Sequence, residues 1–144
     1  MVRIEIAYEG SLRCRATHGP SGATLLTDAP ADNQGDAQSF SPTDLVATAL
    51  GTCVLTIMGI VAERRGLDLT GARANVEKEM IADPGRRIAG LRTVIDIPVD
   101  PGEDGRKLLE SAAAHCPVHA SLGERVDAPI SFRWGAEVPS EAKA

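Results

Sequence analysis

The residues of this chain that could carry out redox or nucleophilic chemistry are its three cysteines, Cys14, Cys53 and Cys116. Their number is odd and no Cys-x-x-Cys pair occurs, so they do not resemble the even disulfide frameworks of small secreted domains. In a reducing compartment such cysteines are buried core residues, metal ligands or reactive thiols. Each cysteine therefore has to be judged by the element that carries it.

Cys116 falls at a predicted helix start, because Pro117 suits the first helical position. Free backbone N–H groups and the positive end of the helix favour a thiolate there, and His115 and His119 are close in sequence. This reasoning favours Cys116 as the more acidic thiol. A capping cysteine packed under a turn fits the same pattern.

Cys53 lies in the middle of a long predicted helix, about three turns past its start. The helix dipole acts only near the first turn, so it does not favour a thiolate here. From the residues alone Cys53 is interpreted as a core residue, and a reactive Cys53 would need a cation supplied from elsewhere in the fold. Cys14 lies on a predicted strand and is interpreted as a structural strand residue.

Two other chemistries use the same side chains. Thiolates and imidazoles bind zinc tetrahedrally, so Cys53, Cys116, His115 and His119 could form a site, but their spacing matches no zinc motif. A cysteine–histidine hydrolase would need an oxyanion hole, and no motif for one accompanies these residues. The sequence therefore predicts neither a metal nor a cofactor.

The elements that position the thiols begin with strands. Residues 2–8 alternate, with Ile4, Ile6 and Tyr8 on one face, and this pattern predicts a half-buried strand. Turn residues then separate two further predicted strands, 12–17 and 23–27. The polar stretch 28–39 predicts an exposed loop.

A long helix is predicted next. Ser41 fits the N-cap, Pro42 the first turn and Asp44 the third position, an arrangement close to a capping box. Residues 45–62 carry no charge, and the run reaches the lower limit for a membrane span. Threonines and glycines dilute it and no aromatic belt flanks it, so it predicts a central helix buried on most sides.

The second half of the chain predicts two strands, two helices and a last strand. In the second of these strands Leu91, Thr93, Ile95, Ile97 and Val99 share a face. Strands and helices are segregated, which indicates an α+β fold in one domain over residues 1–135, with a tail at 136–144. The predicted elements are strands 69–81 and 88–99, a helix ending near 115, a shorter helix 117–124 and a strand over 130–134.

Composition excludes several partners. The net charge is −5 with no basic run, and the four aromatic residues are scattered, which argues against nucleic-acid binding. The chain opens on alternating strand residues without a signal-peptide pattern, so we expect a cytoplasmic protein that does not associate with membranes.

These residues together resemble the OsmC/Ohr superfamily, the osmotically inducible and organic-hydroperoxide-resistance proteins. The most specific match is a mid-helix cysteine after a Ser-Pro helix start, followed much later by a Cys-Pro pair. The segments that carry the resemblance are YEG (8–10), THGPSG (17–22), FSPTDL (40–45), GTC (51–53), MGI (58–60), RG (65–66) and HCPV (115–118).

The resemblance implies a fold and an activity. The implied fold is OsmC-like: a curved antiparallel sheet around a long central helix, in an intertwined homodimer. The implied activity is a peroxiredoxin-like thiol peroxidase for organic hydroperoxides, with Cys53 as the peroxidatic and Cys116 as the resolving thiol. A dithiol, thioredoxin or lipoyl-type reductant would then reopen the disulfide. This assignment inverts the order of acidity that the helix dipole suggested.

The resemblance also implies an arginine that activates the first thiol, held by a glutamate directly after the helix-start proline. This chain has Thr43 at that position and Asp44 one place later, where a less characterised subgroup tends to carry an acid. Arg13 and Arg15 on the second strand, interpreted as facing opposite sides, are the candidate arginines. The missing glutamate supports the alternative of a redox-responsive or small-ligand-binding protein without efficient peroxidase activity.

Overall fold

A computed structural model describes residues 1–137, so most of the predicted tail 136–144 lies outside the described residues. The chain forms two compact units, which divide between Val46 and Ala47. The first contains strands β1 (Ile4–Gly10), β2 (Arg13–His18) and β3 (Thr24–Asp28), a 3₁₀ turn (Ala31–Asn33) and the first turn of helix α1 (Pro42–Arg64). The second contains the rest of α1, β4 (Arg73–Ile81), β5 (Arg87–Ile97), α2 (Gly102–Ala114), α3 (Pro117–Ser121) and β6 (Ile130–Trp134).

The three N-terminal strands form an antiparallel sheet in the order β1-β2-β3, which confirms the predicted strands. Arg15 lies opposite Ala7 on β1 and Leu26 on β3, and Arg13 lies opposite Asp28. Side chains two positions apart on a strand point to the same face. The interpretation that Arg13 and Arg15 face opposite sides is therefore wrong.

The apolar face of β1 is not covered by the residues that the structure describes. Ile4, Ile6 and Tyr8 are 56%, 62% and 67% exposed, although their alternation predicted a half-buried strand. The alternation did identify the apolar face, since the register of β1 against β2 places these residues on one side. What the pattern could not indicate is whether an element of the same chain covers that side.

The predicted loop after β3 is exposed but closely hydrogen-bonded. The Asp28 N–H donates to the carbonyl oxygen of Phe40 at 3.1 Å, which closes the base of the loop. Inside it, a Cβ atom at Gly35 would lie 1.7 Å from the carbonyl oxygen of Ala29, so only glycine fits this close approach. The loop therefore ends at a fixed point just before α1.

The sheet of the second unit has the order β4-β5-β6. Strands β4 and β5 are antiparallel, as predicted, but β6 runs parallel to β5, which corrects the expectation of an all-antiparallel sheet. The reason is the connection: α2 and α3 cross over between β5 and β6, and parallel strands need such a helical crossover. Fully buried Leu91, Thr93, Ile95 and Ile97 form the core face of β5, while Val99 lies beyond the strand and is exposed.

Helix α1 buries a single stripe of side chains against this sheet. The two approach closely at Gly51, since a Cβ there would lie 3.0 Å from Val76 and 3.3 Å from Ala74 on β4. The opposite stripe is exposed, so the described part of the chain does not bury the helix on most sides. The buried residues of α1 are Ala47, Leu50, Gly51, Val54, Met58 and Ala62, and the exposed stripe is Thr48, Thr52, Thr56 and Ile60.

Candidate active site

The second unit brings two of the three cysteines together. Cys53 lies in the middle of α1 and is partly exposed, whereas Cys116 is the fully buried N-cap of α3, followed by Pro117. The two thiols are close enough for Cys53 to raise the pKa of the Cys116 thiol. Two cysteines that are neighbours in this way are candidates for a disulfide pair.

The electrostatics of Cys116 differ from the helix-dipole expectation. Burial raises the pKa of the Cys116 thiol, the hydrogen bond to Cys53 raises it further, and the backbone N–H groups of His119 and Val118 lower it. The net direction is upward, which favours the protonated thiol at Cys116. The helix start predicted a lowered pKa for Cys116, and burial reverses that direction.

The histidines near Cys116 bind backbone carbonyls. The Nδ1 atom of His115 lies 2.7 Å from the Ser111 carbonyl oxygen, and the Nε2 atom of His119 lies 2.9 Å from that of Ala128. A carbonyl oxygen only accepts, so each of these ring nitrogens carries the proton and donates. Among residues 1–137 no cluster of three or more potential metal ligands is found.

A candidate arginine of the active site, Arg15, lies in the first unit and is hydrogen-bonded to a carboxylate. Its Nε and Nη2 atoms donate to the two oxygens of Glu9 at 2.6 and 3.3 Å. This hydrogen bond and the charge of Glu9 raise the pKa of Arg15 further above its ordinary value. The bidentate contact fixes the plane of the guanidinium and leaves its Nη1 edge without a contact among the described residues.

Arg13 is engaged differently, by the loop that follows β3. Its Nη2 atom donates to Asp36 at 3.2 Å and to Gln38 at 3.1 Å, and its Nε atom lies 3.8 Å from the buried carboxylate of Asp28. Asp28 in turn accepts the Gln38 N–H at 3.0 Å. Arg13 therefore ties the loop to β2.

Asp44 forms the predicted capping box. Its carboxylate accepts the Ser41 N–H at 2.8 Å, and its own N–H donates to the Ser41 hydroxyl at 3.1 Å. The carboxylate on Arg15 belongs to Glu9, which the sequence analysis did not single out as a functional residue. Glu9 adjoins the turn at Gly10, and only the register of β1 against β2 brings it beside Arg15.

An α+β chain with one thiol on a long helix and a neighbouring thiol at a Cys-Pro helix start defines a class of thiol protein. The OsmC family profile, described as OsmC-like protein, matches residues 35–131. The chain therefore belongs to the OsmC family, whose relatives include organic hydroperoxide resistance proteins.

Solved structures agree with this assignment. A Psychrobacter arcticus protein, whose name as an osmotic stress induced and detoxification response protein is provisional, is 38% identical, with 92% of this chain and 96% of that chain covered and a TM-score of 0.87. Two structures at 17% identity share the fold. They are the organic hydroperoxide resistance protein OsmC of Legionella pneumophila (92% and 96% covered, TM-score 0.74) and OhrB of Bacillus subtilis (92% and 98% covered, TM-score 0.67).

A search of curated proteins finds no significant match. Helix α1 is 23 residues long and contains an 18-residue window with a mean hydropathy of 2.2, so it is long and apolar enough to cross a membrane. One such helix is weak evidence, because core helices of soluble proteins pass the same test and OsmC family proteins are generally soluble. The buried stripe of α1 against the second sheet is typical of a core helix.

Proposed function

We propose that this protein is a thiol-dependent peroxidase that reduces organic hydroperoxides, with Cys53 as the attacking thiolate and Cys116 as the resolving thiol. The observation that carries the proposal is the pairing of the fully buried Cys116 thiol with the partly exposed Cys53. Burial raises the pKa of the Cys116 thiol, and the partly exposed sulfur is the one that a peroxide can reach.

Two steps complete the oxidative half of the cycle. The Cys53 thiolate attacks the O–O bond, takes one oxygen as a sulfenic acid and releases the alcohol after protonation. The Cys116 thiol then attacks the sulfenic sulfur, forming the disulfide and expelling water. A dithiol, thioredoxin or lipoyl-type reductant would reopen the disulfide. No metal or cofactor takes part in these steps.

The attacking thiolate needs a cation, because the helix dipole does not act in the middle of α1. Arg15 is the favoured candidate, since Glu9 holds its guanidinium and leaves the Nη1 edge available among the described residues. Arg13 is the second candidate, although the loop after β3 already engages it. Glu9 would then take the role of the family glutamate, because this chain has Thr43 at the position where that glutamate is expected.

The assembly and compartment complete the proposal. The exposed apolar face of Ile4, Ile6 and Tyr8 favours a homodimer in which a second copy covers it. The free cysteines and the family of generally soluble proteins favour a cytoplasmic location.

One experiment tests the activity. The three cysteines fall in separate tryptic peptides, residues 14–15, 16–64 and 108–125, so mass spectrometry can assign each thiol. One equivalent of cumene hydroperoxide should consume two thiols and link peptide 16–64 to peptide 108–125. Unchanged thiols in the presence of the hydroperoxide would contradict the peroxidase.

The alternative is a redox-responsive or ligand-binding member of the family. Thr43 in place of the glutamate favours it, as does the use of Asp44 in the capping box. Such a protein would form the disulfide with a strong thiol oxidant but would leave the hydroperoxide intact.

A further inference from the structure

His119 connects the short helix that carries Cys116 to a different part of the chain. Helix α3 spans only Pro117–Ser121, with Cys116 at its N-cap. The Nε2–H group of His119 donates to the Ala128 carbonyl oxygen at 2.9 Å, nine residues further along. The ring is partly buried, so this bond is shielded from water on one side.

The accepting segment is itself fixed to strand β5. The Asp127 N–H donates to Ala89 at 2.9 Å, and the Leu91 N–H donates back to Asp127 at 2.8 Å. The Thr93 N–H donates to Pro129 at 2.9 Å. Ala128 lies between these anchored residues, so its carbonyl oxygen is a fixed point on the core sheet.

Helix α3 needs such an anchor. A helix of little more than one turn is not stable by itself. Its start is attached to α2 by the Cys116 N–H, which donates to Ala113 at 3.1 Å. Its second half has backbone hydrogen bonds within the helix and its caps, from Ala120 to Cys116 and from Leu122 to His119, and the Ser121 hydroxyl bonds locally to Pro117. Among the hydrogen bonds of the described residues, the one from His119 to Ala128 ties this half to another segment.

We propose that His119 is a positioning residue for the resolving thiol. By tying α3 to Ala128 it keeps the Cys116 sulfur against Cys53, so that the disulfide closes quickly once Cys53 is oxidised. Disulfide geometry is narrow, and a small rotation of α3 would remove the Cys116 sulfur from its line of attack. The proposal rests on the proposed function, since it assigns His119 a role in the second of the two steps, the closure of the disulfide. His119 has no role in the first step, the oxidation of Cys53 by the peroxide.

The test separates the two steps. Reduced protein is mixed with one equivalent of cumene hydroperoxide and with dimedone, which traps the Cys53 sulfenic acid before the disulfide closes. The informative pair is His119→Gln, which keeps an N–H donor at similar reach, and His119→Met, which has similar length and no donor. His115→Ala is the matched control, because the described hydrogen bonds of His115 lie within α2 and its cap.

We expect His119→Met to close the disulfide about five- to tenfold more slowly than wild type, the effect of one lost hydrogen bond. More dimedone adduct should therefore accumulate on peptide 16–64, while the rate of sulfenic acid formation is unchanged. His119→Gln should recover most of the closure rate, and His115→Ala should equal wild type. Circular dichroism identifies any variant that fails to fold. If His119→Met does not fold, His119→Leu replaces it in the comparison with His119→Gln.

Two outcomes are distinguishable. If wild type consumes no hydroperoxide, the proposed function fails, and the same closure comparison is made with diamide, which oxidises neighbouring thiols without peroxidase activity. If His119→Met closes the disulfide as fast as His119→Gln with either oxidant, the positioning role is overturned.

Discussion

The Cys116 thiol at the start of a short helix neighbours Cys53 in the middle of a long one, and burial and this neighbour both raise the pKa of Cys116. A raised pKa favours the protonated thiol at Cys116. Cys53 is partly exposed, and in the proposed function the two sulfurs therefore have different roles.

The first prediction follows from these roles. Cys53→Ser should abolish hydroperoxide consumption, whereas Cys116→Ser should complete one turnover and stop at a trappable sulfenic acid. Cys14→Ser should behave as wild type, since Cys14 lies on the face of β2 opposite to Arg13 and Arg15. Dimedone labelling with peptide mass spectrometry measures all three, and labelling of Cys116 in place of Cys53 would reverse the assignment.

The second prediction concerns the activating cation. Arg15→Ala should slow alkylation of Cys53 by iodoacetamide at pH 7 about tenfold, because one neighbouring positive charge changes the thiolate fraction by about this factor. Glu9→Gln should have a smaller effect in the same direction, since Glu9 fixes the guanidinium.

Asp44→Asn separates this scheme from the one that the sequence predicts, in which Asp44 holds the arginine. If Asp44 acts as a cap, the variant loses about 1 kcal/mol of unfolding free energy and keeps its alkylation rate. Slower alkylation of Cys53 in Asp44→Asn, with an unchanged rate in Glu9→Gln, would favour the sequence-based scheme. If Arg13→Ala slowed alkylation more than Arg15→Ala, Arg13 would be the activating arginine.

The third prediction concerns the packing of α1 on its sheet. Gly51→Ala should destabilise the fold by about 1 to 2 kcal/mol, because the added Cβ meets Val76 and Ala74 at overpacked distances and this outweighs the gain in helix propensity. Gly59→Ala on the same helix meets nothing within 4 Å, so it should stabilise the fold by up to about 1 kcal/mol. Denaturant unfolding measures both, and equal effects would show that the close approach at Gly51 is unimportant.

The sequence predicted most elements of this fold because local patterns determine them. The capping box of Ser41 and Asp44 fixed the start of α1, and alternation identified the buried face of β5. The parallel pairing of β6 was not predicted, since strand direction depends on how α2 and α3 cross over, which the alternation of Phe132 and Trp134 does not encode.

The site was predicted less completely for the same physical reason. Local signals located Cys53 and Cys116 on their elements, and the family resemblance paired them. The raised pKa of Cys116 comes from burial by distant residues, so the local helix end gave the wrong direction. The bond from Glu9 to Arg15 depends on strand register across a bulge between Tyr8 and Gly10, which no sequence pattern indicates.

The fourth prediction is a loss of stability at alkaline pH. The pKa of the Cys116 thiol is raised in the folded state, so the folded protein keeps a proton that the unfolded chain releases. Its contribution to the unfolding free energy is complete below the pKa of the unfolded chain, about 8.5, and is lost as pH rises through the pKa of the folded state. The unfolding free energy of reduced protein should therefore fall above about pH 8.5, by at most about 1.4 kcal/mol per pH unit. Cys116→Ser should remove this part of the slope and Cys14→Ser should keep it. Identical slopes in wild type and Cys116→Ser would show that Cys116 ionises equally in both states.

The last prediction concerns assembly. The β1 face of Ile4, Ile6 and Tyr8 is more than half exposed, and an apolar surface of this kind on a soluble protein is normally covered by a partner. Light scattering should therefore give twice the chain mass of 15.1 kDa, and the interface should be of the obligate kind, about 2,000 Å² or more. Ile6→Lys places a charge on this face and should yield monomer or unfolded protein. Glu5→Lys is the matched control, because Glu5 is exposed on the opposite face of the same strand, and it should leave the dimer intact. A wild-type mass of 15.1 kDa at micromolar concentration would contradict the homodimer.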